Sequence, residues 1–197
     1  MKILIDNGHG LETKGKRSPD QSLIEARWTR EVANLVFFLL TNKGYDVRLL
    51  VPEAEDIPLT TRANRANYWS GRLGASNVCL VSIHVNAAGD GRQWMNARGW
   101  SAYTSKGKTR GDILAECLYD AAEAEFKEFK IRTDLSDGDR DWEENFTILT
   151  KTSCPACLVE NFFMDNRQDC EFLLSDEGKM RCAKVLCNGI IRYIKGI

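Results

Sequence analysis

The sequence predicts an α/β fold: a single three-layer domain whose mostly parallel, twisted sheet of about six strands carries helices on both faces. Three observations predict it. Short apolar, β-branched runs alternate along the chain with longer stretches of helical period, the order that builds parallel sheets from strand–helix–strand units. One run, Val78 to Ala88, is apolar with little interruption, as a strand buried on both faces must be. No internal repeat, low-complexity tract or linker divides the 197 residues. One core can serve that length, so residues 1–197 are expected to be one domain.

The elements follow in order. Lys2 to Asp6 is a short strand, and Asn7-Gly8-His9-Gly10 is a turn whose glycines leave the imidazole exposed. A polar loop reaches Pro19 and Asp20. Ser22 opens a long helix to about Lys43, capped by Gly44, with Trp28, Val32, Val36 and Leu39 on its apolar stripe. Tyr45 to Val51 returns as a strand parallel to the first, through a right-handed crossover. Beyond Pro52 and Pro58, Thr60 or Thr61 caps a second helix through Trp69. The strand that ends in His84 comes next, then a polar, Gly-rich stretch from Gly89 to Arg98 and a further strand from Gly99 to Ser105. Thr109 to Phe129 is helical, with Ile113, Leu114, Cys117, Leu118 and Ala121 on one side. Arg132 to Asn145 reads as a charged loop, with a turn at Asp137-Gly138, beside a cleft. Phe146 to Thr150 and Cys157 to Glu160 read as strands around Pro155. Gln168 to Leu174 and Gly178 to Ile194 are the closing helices.

Composition excludes several classes. A formal net charge of -1 provides no global field for nucleic acid or an anionic membrane. No apolar run approaches the roughly 20 residues of a membrane-spanning helix, and no signal-peptide pattern follows Met1. The seven cysteines are odd in number, and Cys79, Cys117 and Cys187 fall inside apolar patterns. They are expected to be small buried hydrophobes in a reducing compartment. Cys154 and Cys157 could form a redox pair, or part of a structural zinc site with Cys170 and Cys182. They precede a strand instead of following one, and no close downstream pair matches them, so neither is expected. Asp134 to Asp141 lacks the glycine placement of an EF-hand, and no nucleotide-binding glycine fingerprint or Gly-x-Ser-x-Gly elbow is present.

The candidate chemistry starts with the chain's two histidines. His9 and His84 each follow a strand-like run, and α/β sites gather beyond the carboxyl ends of strands. Glu25 stands on the same helical stripe as Val32, Val36 and Leu39, where a carboxylate without a partner is costly. Two readings meet that cost. In one, Ser22-Leu23-Ile24-Glu25 is a capping box; in the other, Glu25 binds a metal ion together with His9 and His84. Two neutral imidazoles and a carboxylate are a ligand set for catalytic zinc, with a fourth position left for water. Glu160 ends the run Leu158-Val159-Glu160. It is read either as a polar strand end or as the general base that takes a proton from zinc-bound water and returns it to a leaving nitrogen.

Together these positions resemble the zinc-dependent N-acetylmuramoyl-L-alanine amidases of bacterial autolysins and phage endolysins. Ile5-Asp6-Asn7-Gly8-His9-Gly10 is similar to the family's opening Asp-Pro-Gly-His-Gly, and Glu25 stands where its metal-binding glutamate begins the first long helix. Leu59-Thr-Thr-Arg62 with Ala66-Asn67 resembles its Leu-x-x-Arg and Ala-Asn helix. Val81-Ser-Ile-His84-Val-Asn86 resembles its Ser-Ile-His-Ala-Asn. Pro155-Ala-Cys-Leu-Val-Glu160, followed by Phe163 and Asn166, is similar to its Pro-Ala-x-Leu-Val-Glu-x-x-Phe-x-x-Asn.

The resemblance implies one zinc ion on His9, Glu25 and His84, and Glu160 as the catalytic carboxylate. It implies hydrolysis of the amide between N-acetylmuramic acid and L-alanine in peptidoglycan, by a single catalytic domain that acts at the cell wall or periplasm as a monomer. Such a chain is either a phage-type lysin held in the cytoplasm or a secreted enzyme already trimmed. Arg62 and Asn67 are expected to be mainly structural, and Asn86 to orient the second histidine or line the cleft. Asn7 and Leu11 depart from the family's proline and glycine, which loosens the first ligand loop. Phe162 departs from a frequent glycine, which narrows the cleft beside Glu160. Gly89 to Arg98 and Arg132 to Asn145 match no family pattern and are expected to select the peptide stem. Two other readings stay open: a zinc peptidase or amidohydrolase acting on another bond, and a wall-binding module without turnover.

Overall fold

Alternation on two central strands sorts the core into two layers. The computed structural model describes residues 1–196. In β1 (Lys2–Asn7), Ile3 and Ile5 join one apolar cluster while Leu4 joins another. In β3 (Val78–Asn86), Cys79, Val81 and Ile83 lie on the first side, and Val78 and Leu80 on the second. This is the period of two of a strand covered on both faces.

The first layer is built by α1 (Glu25–Thr41), α3 (Arg110–Glu125) and α6 (Asp176–Lys195), with α5 (Arg167–Leu174) packed on α6. The second is built by α2 (Leu59–Leu73) and the short α4 (Thr147–Thr150). With β2 (Asp46–Leu49), β4 (Ser101–Thr104), β5 (Trp142–Glu143) and β6 (Ala156–Phe163), the strand order is β2-β1-β3-β6-β4-β5. Every neighbouring pair is parallel except β4 with β6. The predicted six-stranded α/β architecture is therefore present. Among the described residues no helix is long and apolar enough to cross a membrane.

Several local expectations are corrected. Residues 146–150 are not a strand: the Phe146 carbonyl accepts from the amides of Leu149 and Thr150, closing the turn of α4. A short apolar run carries no period that separates strand from helix. The charged segment 132–145 hides the two-residue β5, which borrows its pairing from β4. On α3, Ile113 is 59% exposed and lies off the buried stripe, while Thr109 caps the helix in a capping box with Asp112. All seven cysteines are buried and none is in a disulfide, as expected of small hydrophobes.

Candidate metal centre

Three elements converge at the carboxyl ends of β1 and β3. β1 ends at Asn7, and the chain turns with His9 in the left-handed region at φ 60°. A non-glycine residue holds that conformation only when its surroundings impose it. Here α1 does so: the Thr29 hydroxyl donates to the Gly8 carbonyl at 3.1 Å, and the Arg30 guanidinium donates to the His9 carbonyl at 2.9 Å. Gly8 has no room for a side chain, because a Cβ there would run into the His84 imidazole. The two rings stand edge to face, 5.1 Å apart.

Glu25 is the first residue of α1. The helix starts three residues later than the sequence suggests, because Ser22 donates to Asp20 and Ile24, at the N-cap, makes no side-chain cap bond. No capping box forms, and the Glu25 carboxylate turns inward, 1% exposed. Its Oε1 accepts from the Val85 amide at 3.1 Å and lies 3.1 Å from His84 Nδ1. Its Oε2 lies 3.5 Å from His9 Nε2 and has no hydrogen-bond partner. One ligand atom from each of His9, Glu25 and His84 falls within 4.8 Å of the other two, and among the described residues no other group of three His, Cys, Asp or Glu does so. A cysteine zinc site is thereby left without support.

The electrostatics follow from burial and mutual contact. Burial pushes the His9 imidazole down to about 4, and Glu25 only partly restores it, so near neutrality His9 presents an uncharged nitrogen. Burial also opposes a charge on His84, but the hydrogen bond to Glu25 and its negative charge together raise the imidazole above its ordinary value. Burial would raise Glu25, yet the two imidazoles hold it below the usual carboxylate range. A buried carboxylate with an orphaned oxygen between two imidazole nitrogens suits a divalent cation that takes mixed nitrogen and oxygen ligands.

Glu160 reaches the same place from β6, where it pairs in register with His84. Neither residue ends its strand, since β3 runs to Asn86 and β6 to Phe163. The pairing shifts between His84 and Asn86, close to Phe162, which sits at φ 62°. The Phe162 ring points into the core against Phe126, Phe129 and Phe172 and is fully buried, so it does not narrow the cleft. Glu160 Oε2 is buried without a partner. Burial pushes its carboxyl up to about 7, with Glu25 adding to the rise and His84 opposing it.

A cleft of about 450 Å³ opens over these groups, lined also by Lys16, Asp56, Leu59, Arg62, Phe146 and Leu158. Of the two segments expected to select the stem, the lining includes Asn145 of the second and no residue of 89–98. Arg62 is buried and donates to Asp6, Asn7, Ile57 and Asp56, bracing the turn that carries His9. Asn67 ties α2 to the chain at Lys151 and Ser153, away from the metal centre. The Asn86 side chain accepts from the Ala87 amide and shapes the turn after β3. Sequence reasoning missed Asp6, Asp56 and Ser82, whose hydroxyl donates to Asp6. A charged residue closing the apolar run of β1 was the available signal for Asp6; Lys16 and Asp56, in polar loops, carried none.

Comparison with known proteins agrees with the geometry. A family model described as N-acetylmuramoyl-L-alanine amidase matches residues 3–192. An N-acetylmuramoyl-L-alanine amidase of Bacillus licheniformis is 31% identical over 199 residues, covering 98% of this chain and 68% of that protein. An endolysin of Bacillus phage SPP1 is 28% identical, covering 88% of this chain and 59% of its own. The crystal structure of an N-acetylmuramoyl-L-alanine amidase from Clostridium difficile 630 superposes with a TM-score of 0.81 at 24% identity, over 98% of this chain and 96% of that one.

Proposed function

This chain belongs to the N-acetylmuramoyl-L-alanine amidase family, and from that membership we propose the division of labour at its site. His9, Glu25 and His84 hold one zinc ion, and Glu160 is the catalytic carboxylate. The reaction is hydrolysis of the amide between the lactyl group of N-acetylmuramic acid and L-alanine in the peptidoglycan of the cell wall. The observation that carries this reading is the meeting of three ligand atoms within 4.8 Å beside a partnerless Glu160 oxygen.

Zinc in this donor set supplies a Lewis acid that polarises the scissile carbonyl and acidifies water. The chain's own groups do the rest. The Val85 amide and the Thr29 hydroxyl fix Glu25 and the Gly8 turn. The Asn161 side-chain amide donates to the His84 carbonyl at 3.1 Å and locks β3 to β6 beside the reacting groups. Glu160 Oε2 takes the proton of the attacking water and delivers it to the leaving nitrogen, so bond cleavage expels a neutral amine. The four groups come from one chain, His84 and Glu160 from adjacent strands, His9 from the turn after β1 and Glu25 from the start of α1, which supports a single catalytic domain working as a monomer.

Purified sacculi incubated with the zinc-loaded protein should release stem peptides bearing new L-alanine amino termini, identified by mass spectrometry. Glu160→Ala should keep its zinc and release none. Products cut at another bond favour a peptidase, retention of sacculi without cleavage favours a binding module, and either result overturns this assignment.

A further inference from the structure

We propose that the Lys16 ammonium binds a free carboxylate on the peptide arm of the substrate, making this residue a determinant of specificity for acidic stems. The inference rests on the amidase reading of the cleft. It starts from a charge inventory of the cleft walls. Asp6, Asp56 and Glu160 supply negative charge, and Lys16 and Arg62 are the lysine and arginine among the lining side chains. Arg62 is already committed: it is 1% exposed, and its guanidinium donates to two carboxylates and two backbone carbonyls. Lys16 is half-buried, and among the described residues its ammonium makes no hydrogen bond or ion pair.

The position of Lys16 is nevertheless fixed. Its carbonyl accepts from the Glu25 amide at 3.0 Å, and the next residue, Arg17, bridges to Ile24. The lysine is therefore tied through backbone to the residue that starts α1 and enters the metal centre. Lys16 lines the same cleft as His9, His84 and Glu160, and its positive charge acts on His9, Glu25 and Glu160. Leu59, Phe146, Ile148 and Leu158 make the apolar part of the wall. With Arg62 committed to its partners, Lys16 is the side-chain cation of this wall left to meet a carboxylate near the scissile amide.

The test uses two synthetic muramoyl tripeptides, identical except that the second residue carries a free α-carboxylate in one and a carboxamide in the other. The measured quantity is the ratio of kcat/KM for the acid to that for the amide, taken with matched zinc content. Lys16→Met should lower that ratio about tenfold, as loss of one partly desolvated charge contact does. Lys16→Arg should restore most of it, and Lys14→Met, at an exposed position two residues away, should leave it at the wild-type value. The wild-type preference should also shrink as salt rises from about 0.05 to 0.5 M. Cleavage of both tripeptides with the same ratio in wild type and Lys16→Met overturns the inference alone. Cleavage of neither by the zinc-loaded wild type overturns the amidase reading and the inference with it.

Discussion

Glu25 and Asp141 are each 1% exposed, and their surroundings drive them in opposite directions. Glu25 faces two imidazoles and a backbone amide, and those partners keep it ionised against the penalty of burial. Asp141, just before β5, accepts from the Thr104 hydroxyl, but its charged neighbours are Asp139 and Asp112. Arg140, between Asp139 and Asp141 in sequence, turns the other way to Glu116, Asp120 and Glu123. Burial, reinforced by those aspartates, pushes Asp141 up to about 7. The difference teaches that burial alone does not make a binding site. A buried carboxylate among nitrogens is completed by a cation; one among carboxylates is completed by a proton.

The contrast can be broken most severely at Glu25. Glu25→Ala should lose bound zinc and about a thousandfold or more in hydrolysis, the several kcal/mol that a Lewis acid supplies. Metal content by mass spectrometry alongside sacculus assays checks both, and full zinc occupancy in the variant would show that the centre is not organised around this carboxylate. A smaller effect should come from Gly8→Ala, which keeps every ligand but forces the His84 ring aside. Zinc affinity should fall by about 10–100-fold, as when the support of a ligand is disturbed, measured by competition with a chelator.

The smallest effect belongs to Asp141 and is read in stability. Its folded value of about 7 lies above its ordinary 3.8, so between those values the folded state binds more protons than the unfolded state. Stability therefore falls as pH rises through that window and is fully penalised above about 7. Asp141→Asn should flatten this slope and gain on the order of 1 kcal/mol at pH 8, with little change at pH 4. Denaturant midpoints at the two pH values decide it; an equal shift at both would mean that packing, not ionisation, explains the gain.

The sequence made the centre legible where chemistry conflicts with pattern. Two histidines after apolar runs, and a glutamate on an apolar stripe, stand out because each is costly unless something binds it. Of the two readings of Glu25, the capping box is removed by Ser22, which spends its hydroxyl on Asp20. Phe146 to Thr150 misled because five residues are too few to show a period. The Phe162 substitution misled for a different reason. A backbone conformation that favours glycine says nothing about where a larger side chain goes, and the core had room for this ring. The Arg62–Asp6–Asp56 brace and the placement of Lys16 depend on contacts between distant parts of the chain, which local spacing does not encode.

The in-register pairing of His84 with Glu160 has a consequence for how such an enzyme can diversify. The backbone spacing between the proposed ligand His84 and the proposed proton carrier Glu160 is inherited from two adjacent central strands, so backbone hydrogen bonds set where both side chains start. Lys16, Asn145 and Phe146, by contrast, lie outside the regular elements. Substituting those side chains, by drift or by design, keeps the strand pairing and the bond from the Glu25 amide to the Lys16 carbonyl and alters what is admitted. A slip of one residue between the two strands does the reverse: it sends Glu160 to the far face of the sheet and silences the enzyme with every side chain still in place.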